Sequence, residues 1–312
     1  MAIANGAQHK ILFHEETTAY GTPETTAYTP LPHTGTTLAL TKDGIESEKL
    51  RGDRQVEDFR HGNRSVSGDI SAELEYGAFD SILEAVMCGT WTTDTPNVLK
   101  TGTTRRSFTI ERIFNDLVSG SDEEVHIYKG CEFNSMSLSI APNAMVSATF
   151  GVVGKDLTLA TSPSSSSTAN ADVGNVPFDS FTGSINEGGS AISTVTALEI
   201  SIENGIEPLF SVGSNTTNRP SIGKSRVTGS LTTYFDDNAL YSKFLNETES
   251  DIVCTLTDVN GNDYIIDLTK VKFNSGQPDV SGEGAVTITM DFVALYSGGD
   301  DVSQLIITRT PA

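Results

Sequence analysis

The chain has 312 residues, with 20 Lys and Arg against 41 Asp and Glu, for a formal net charge of −21. So acidic a chain is unsuited to gripping nucleic acid, which needs Lys and Arg against phosphate. Three cysteines rule out a disulfide-built secreted scaffold, 37% apolar residues rule out a disordered chain, and no apolar run reaches the roughly 18 residues of a membrane helix.

The opening MAIANGAQHK lacks a basic-then-apolar leader, so synthesis in the cytoplasm is expected. Asp43–Ser65 reads as a long loop that mixes both charge signs densely. From Val66 to Glu75 the residues alternate, with Val66, Ile70, Ala72 and Leu74 on one face and Ser67, Asp69, Ser71, Glu73 and Glu75 on the other. That is the pattern of a half-buried strand. Phe79, Ile82, Leu83, Val86 and Met87 are spaced for an amphipathic helix over Ala78–Met87, stopping at Gly89. Further strands follow at Asn134–Ile140, with Ser135, Ser137 and Ser139 on the polar face, and at Val146–Val152, with Ser147 and Thr149.

Ser162 to Asp172 has no core-forming residue and reads as a flexible linker. Beyond it, Asn204–Arg226 is a second long loop. Val227–Asp236 is a strand with Thr228, Ser230, Thr232, Tyr234 and Asp236 outward. A short helix is expected over Asn238–Asn246, capped by Asp236 or Asp237. Asn260-Gly261 predicts a two-residue hairpin between Ile252–Leu256 and Tyr264–Leu268. Val286–Phe292 closes the series, with Thr287, Thr289 and Asp291 outward.

The two sides of the linker repeat one another. At one constant spacing, Asp43-Gly44-Ile45-Glu46 meets Asn204-Gly205-Ile206-Glu207, and Val66-Ser67-Gly68-Asp69-Ile70 meets Val227-Thr228-Gly229-Ser230-Leu231. At a shorter spacing Phe133-Asn134-Ser135 meets Phe273-Asn274-Ser275, and Val146, Ala148, Phe150 and Val152 meet Val286, Ile288, Met290 and Phe292. The change of spacing places an insertion in the first copy, within Gly89–Arg106. The period is too long for a solenoid, so the pattern is a duplicated domain. The expected organisation is a first domain at 1–160, a Ser-rich linker at 161–177 and a second domain at 178–312. Each is a mostly β (α+β) unit with one helix packed on a sheet.

No catalytic signature is present. The chain has no nucleophile elbow, no HExxH, no phosphate loop and no CxxC. His9, His14, His33, His61 and His126 are scattered among different predicted elements and read as ordinary surface or loop residues. No cofactor or metal is expected. Two features ask for a function: the charged loop, suited to docking on another subunit by complementary charge, and the small, acidic polar face of the strands, which carries no Lys or Arg.

The run from Tyr128 to Lys155, the strand and helix from Val66 to Cys88-Gly89-Thr90-Trp91, Leu198–Gly213 with Glu203-Asn204-Gly205, and Val227–Phe244 together resemble the tail tube (major tail) proteins of long-tailed bacteriophages. The resemblance extends from about Gly35 to Tyr296. It implies tandem β-sandwich or small-barrel tube domains, each with a flanking helix on the outer side. Such domains form rings of six whose inner strands join into one barrel, so two per chain imply a homotrimer with pseudo-sixfold symmetry. With four lumen strands per domain, the strand spacing and tilt of a barrel give a channel roughly 35–40 Å wide, enough for a DNA duplex.

Carried onto this chain, the resemblance implies that Asp69, Ser71, Glu73, Glu75, Ser135, Ser137, Ser230, Thr232, Thr287 and Asp291 face the lumen. It assigns ring-to-ring contacts to the loops bearing Glu46, Glu48, Lys49, Arg51, Asp53, Arg54, Glu57, Asp58, Arg60 and Arg64, and Glu207, Lys224 and Arg226. The N-terminal arm to about Leu31 and the segment Val302–Arg309 become candidates for inter-subunit strands. The implied partners are further copies of the chain, a tape-measure protein, a tail terminator and tail-tip or distal tail proteins. DNA would pass without specific binding, and no membrane is involved. The expected place is the virion, after synthesis in the host bacterium. Two other readings stay open: a tail hub or distal tail ring that does not polymerise, and a two-domain β-sandwich binding or adhesion module.

Overall fold

The computed structural model describes residues 3–119, 122–164, 170, 174–280, 282–298 and 303–312. The predicted linker from Ser162 to Asp172 lies largely outside the described residues, as does Val302. The protein is mostly β, with two short helices against antiparallel sheet. The first half runs β1 (His9–Glu15), β2 (Thr29–Pro30), β3 (Gly35–Thr36), β4 (Ala39–Glu46), β5 (Phe59–Glu73), α1 (Asp80–Met87), β6 (Asn97–Lys100), β7 (Phe108–Ser119), β8 (Asp122–Ile140), β9 (Ser147–Gly154) and β10 (Asp156–Ala160). The second runs β11 (Ser184–Glu187), β12 (Ser190–Ala191), β13 (Val195–Glu203), β14 (Glu207–Leu209), β15 (Asn218–Ser221), β16 (Arg226–Tyr234), α2 (Ala239–Leu245), β17 (Ser250–Thr257), β18 (Asp263–Phe273), β19 (Pro278–Asp279), β20 (Thr287–Ala294) and β21 (Ile306–Thr310).

The halves repeat one plan. A hairpin, β7–β8 or β17–β18, is flanked by an N-terminal strand on one side (β1 on β7, β11 on β17). On the other side lies a C-terminal strand (β10 on β8, β21 on β18). A second layer carries β4–β5–β9–β8 in the first half and β13–β16–β20 with the end of β18 in the second. The two second layers fuse, because the C-terminal half of β8 pairs with β13 from Ile140↔Leu198 to Ser135↔Glu203. One ladder therefore runs β4–β5–β9–β8–β13–β16–β20. Its apolar side shares a single core, from Ile11 to Ile307, with the outer strands.

Helix α1 lies in that core, burying Ile82, Leu83, Ala85, Val86 and Met87, and Phe79 before it stacks on Phe150 at 5.6 Å. Fully burying each large apolar side chain stabilises by about 1.5–3 kcal/mol. The expected stop at Gly89 is one residue late. Cys88 takes the left-handed cap at φ 48° while the Gly89 amide donates to the Glu84 carbonyl at 3.0 Å. In α2 no residue is fully buried. Its N-cap is Asn238, not Asp236 or Asp237, and makes no side-chain capping bond, although the Asp237 carboxylate one residue earlier accepts from the Ala239 amide at 2.7 Å.

Side chains lock the halves together. The Asn204 amide group donates to the Val86 carbonyl at the end of α1, 2.8 Å away. The Tyr264 hydroxyl donates to Asp80 at 2.7 Å, and Arg309 pairs with Asp80 and lies 4.8 Å over Trp91. The Gly89–Arg106 insertion also joins the halves, since its strand β6 pairs with β21.

Three expectations need correction. The N-terminal segment is not a free arm: β1 pairs with β7 from His9↔Phe114 to Glu15↔Phe108, and β21 pairs with β18, both within the chain. Ile11-Leu12-Phe13 and Ile306-Ile307 are apolar enough to complete the chain's own core. The turn at Asn260-Gly261 is longer than two residues. Buried Asp258 accepts from the amides of Asn260 at 2.8 Å and Asn262 at 2.9 Å, and so organises 258–262. Asp43–Ser65 is not a loop throughout, because β4 and β5 extend into it as a long hairpin and leave only 47–58 as its tip. Both faces of that hairpin are open to solvent, Ile45 and Phe59 included, so the period-two apolar signal is missing there.

Candidate functional site

Alternation along each strand of the fused ladder sends Val, Ile, Leu, Met and Phe into the core and small or acidic residues to the other face. The pairings align those outward residues into rungs. One rung reads Glu73, Ser147, Ser139, Glu199, Ser230, Asp291 across six strands. The next reads Ser71, Thr149, Ser137, Ser201, Thr228, Val293, and a third begins Asp69, Gly151, Ser135, Glu203, Arg226. Neighbouring hydroxyls bond across strands: Ser71 with Thr149 at 3.3 Å and Thr232 with Thr289 at 3.0 Å. The Ser275 hydroxyl donates to Asp291 at 2.7 Å. Along the first rung the carboxylates are about 10–14 Å apart, two or three strand spacings. That exceeds the Debye length of about 8 Å, so their mutual repulsion is largely screened.

Of the sequence-derived face, Asp69, Ser71, Glu73, Ser135, Ser137, Ser230, Thr232, Thr287 and Asp291 lie on these strands. Glu75 does not join the rungs. It follows the end of β5 and bridges to Pro177. Glu199, Ser201 and Glu203 of β13, at the centre of the face, were missed. Their signal was in the sequence: Leu198, Ile200 and Ile202 alternate with them. The face also carries a cation, since Arg226 stands opposite Glu203. With Glu199 and Asp291 it lines a shallow concavity of 510 Å³ over β8, β13, β16 and β20.

The second candidate surface is the β4–β5 hairpin. Its charges pair mostly among themselves: Lys49 with Glu57 at 2.7 Å, and Arg51 with Asp53 and Arg60 with Asp58 at 3.1 Å. Glu46 ends β4, and Glu48 and Arg54 lie in the tip. Arg64 turns inward, pairing with Asp156 at 2.9 Å while its backbone amide donates to the Asn215 carbonyl at 2.8 Å. Apolar side chains project between the charges: Leu50 is 99% exposed and Val56 62%. The second loop folds as the small β14–β15 hairpin, with Glu207 opposite Ser221, and exposes Leu209 and Val212. Lys224 is exposed just before β16.

No chemistry-bearing constellation emerges among the described residues. Among the described residues no group of His, Cys, Asp and Glu is arranged to hold a metal ion. Two histidines thought to be scattered do meet. The Arg112 Nε–H donates to His9 Nε2 at 3.0 Å, His9 Nδ1 lies 2.8 Å from His33 Nε2, and His33 Nδ1 faces the Leu31 carbonyl at 3.1 Å. Burial, then the Arg112 charge, lowers the His9 pKa to about 4. Burial likewise pushes the Cys254 thiol up to about 12. No helix among the described residues is long and apolar enough to cross a membrane.

A search of curated proteins finds no match. The phage tail tube protein family, in contrast, matches residues 6–294, nearly the whole chain and both copies of the repeat. That match spans every strand of the fused ladder, and the chain belongs to the phage tail tube protein family.

Proposed function

We propose that the chain closes into trimeric, pseudo-hexameric rings that stack into a tail tube, and that the finished tube conducts DNA into the host. Each chain supplies two tube domains, at 1–160 and 178–312, joined by 161–177. The single observation that carries the reading is the polar ladder face, continuous across both copies and built mainly from Ser, Thr, Asp and Glu. In this reading that face lines the lumen. Phosphates moving past Glu73, Glu199 and Asp291 find no array of cations to bind, so DNA slides with little friction.

The exposed hairpin tips make ring-to-ring contacts, where Leu50 and Val56 supply the apolar area and the paired charges set the register. A tape-measure protein occupies the lumen during assembly, and terminator and tail-tip proteins close the ends. The test is charge reversal. Tubes carrying Asp69→Lys with Glu73→Lys should assemble and yet eject DNA more slowly, with the delay relieved by salt. Ejection at the normal rate would place those side chains outside the lumen.

A further inference from the structure

Within one chain, the first copy hands the ladder to the second at a defined seam. Beyond the six rung pairs, the Asn204 amide donates to the Asn134 carbonyl at 2.9 Å, and the Ile206 amide donates to the Asn134 side-chain oxygen at 2.6 Å. Ile206 is consequently only 6% exposed. Both partners of this seam occur a second time. Phe273-Asn274-Ser275 repeats Phe133-Asn134-Ser135, and Asp43-Gly44-Ile45-Glu46 repeats Asn204-Gly205-Ile206-Glu207.

In these second occurrences the seam-facing residues Ile45 and Asn274 are uncovered. Ile45 is 60% exposed and Asn274 is exposed. Among the described residues β4 pairs only with β5, and β19 only with β20. The strand β4 has no fully buried residue, whereas its counterpart β13 buries Leu198, Ile200 and Ile202.

We infer that the 274–280 edge of one protomer takes β4 of the next in the register of the internal seam. This rests on the ring reading above and specifies its contact. In the β4–β5 ladder Leu40 faces Val66 as Ile202 faces Val227 in the β13–β16 ladder, and Val66 is the counterpart of Val227 in the repeat. The apolar positions Leu38 and Leu40 therefore correspond to Ile200 and Ile202, and the register follows: Ser275↔Thr41, Gln277↔Ala39, Asp279↔Thr37. The Asn274 side-chain oxygen, like that of Asn134, accepts from the neighbour's backbone just beyond Thr41, at Gly44–Ile45.

One detail fits this register independently. By the alternation set at Asn204 and Asn134, residue 278 would donate to the carbonyl of residue 38. Residue 278 is a proline without an N–H, and the Leu38 carbonyl is already held by Arg112 at 2.8 Å and by the Tyr128 hydroxyl at 2.9 Å. The missing donor faces an occupied acceptor. Pro278 also discourages other strands from adding to this edge.

The test is a disulfide across the seam. Ala39 and Gln277 fall at a non-hydrogen-bonded pair, where Cα atoms lie about 4.5 Å apart, within disulfide range. The native Cys88, Cys131 and Cys254 are buried and do not compete. Full-length chain with Ala39→Cys and Gln277→Cys, assembled and mildly oxidised, should give covalently linked protomers on a non-reducing gel. Thr41→Cys with Gln277→Cys, two residues out of register, should not. Assemblies that link through the second pair and not the first would overturn the register while leaving the tube reading intact. A chain that stays monomeric at every concentration would overturn both. As a second measurement, Asn274→Ala should raise the concentration needed for assembly about tenfold with the protomer's melting temperature unchanged, about 1.4 kcal/mol of contact. Unaltered assembly would remove Asn274 from the seam.

Discussion

Glu16 offers the sharpest test of how the N-terminal segment is held. It is 8% exposed, and its carboxylate has four donors and, among the described residues, no cation. Oε1 accepts from the Thr109 hydroxyl at 2.9 Å and the Gly130 amide at 2.8 Å, and Oε2 from the Ser107 hydroxyl at 2.9 Å and the Gly21 amide at 2.7 Å. In Glu16→Ala the two hydroxyls can re-aim, but the two amides cannot. Each orphaned donor costs about 1–3 kcal/mol, so the variant should lose about 2–6 kcal/mol. Glu16→Gln keeps one acceptor oxygen and sets an NH2 against the other pair of donors, which should cost about 1.5–3 kcal/mol.

At roughly 2 °C per kcal/mol for a chain of this size, the expected drops are about 4–12 °C and 3–6 °C. The assay is thermal and urea unfolding of unassembled protomer. The order matters as much as the size: alanine below glutamine below wild type. Two variants melting within about 2 °C of wild type would refute the reasoning. They would also reopen the idea that the segment to Leu31 belongs on a neighbouring subunit.

Three other outcomes are expected. His9 is held neutral in the folded chain with its pKa at about 4, below the 6.5 of a free histidine. The unfolded chain therefore binds the extra proton first, and the stability that neutral His9 contributes should be lost as pH drops from about 6.5 to about 4, below which His9 takes no further part. Urea midpoints across that window should show a shallower fall in His9→Gln. Leu50→Asp with Val56→Asp should leave rings intact by electron microscopy and prevent their stacking into tubes. Asn204→Ala leaves the Val86 carbonyl at the end of α1 without its donor, so about 1–3 kcal/mol should be lost in urea unfolding.

Local patterns were readable where one face of an element is buried. Val66, Ile70 and Ala72 marked β5, and Ile82, Leu83 and Val86 marked α1, because burial imposes the period. The same logic would have found Glu199, Ser201 and Glu203 had the alternation of Leu198–Glu203 been followed. The outer part of the β4–β5 hairpin was hidden because solvent reaches both its faces. The irregularity between Lys42 and Gly44 was hidden too, since one extra residue in a polar strand leaves no apolar mark. The seam between β8 and β13 was beyond local reading. Both strands look alike whether they pair with each other or with another chain. What the repeat did supply was the list of matching segments, and the structure added which of them are covered.

The central claim is that three chains, each carrying two tube domains, close around an open channel. Cryo-electron microscopy of the purified, assembled protein tests it most directly. The account predicts threefold rings with six similar lobes and a lumen roughly 35–40 Å wide lined by the Glu73–Asp291 rung. Rings of another symmetry, or rings with that rung on the outer surface, would contradict it.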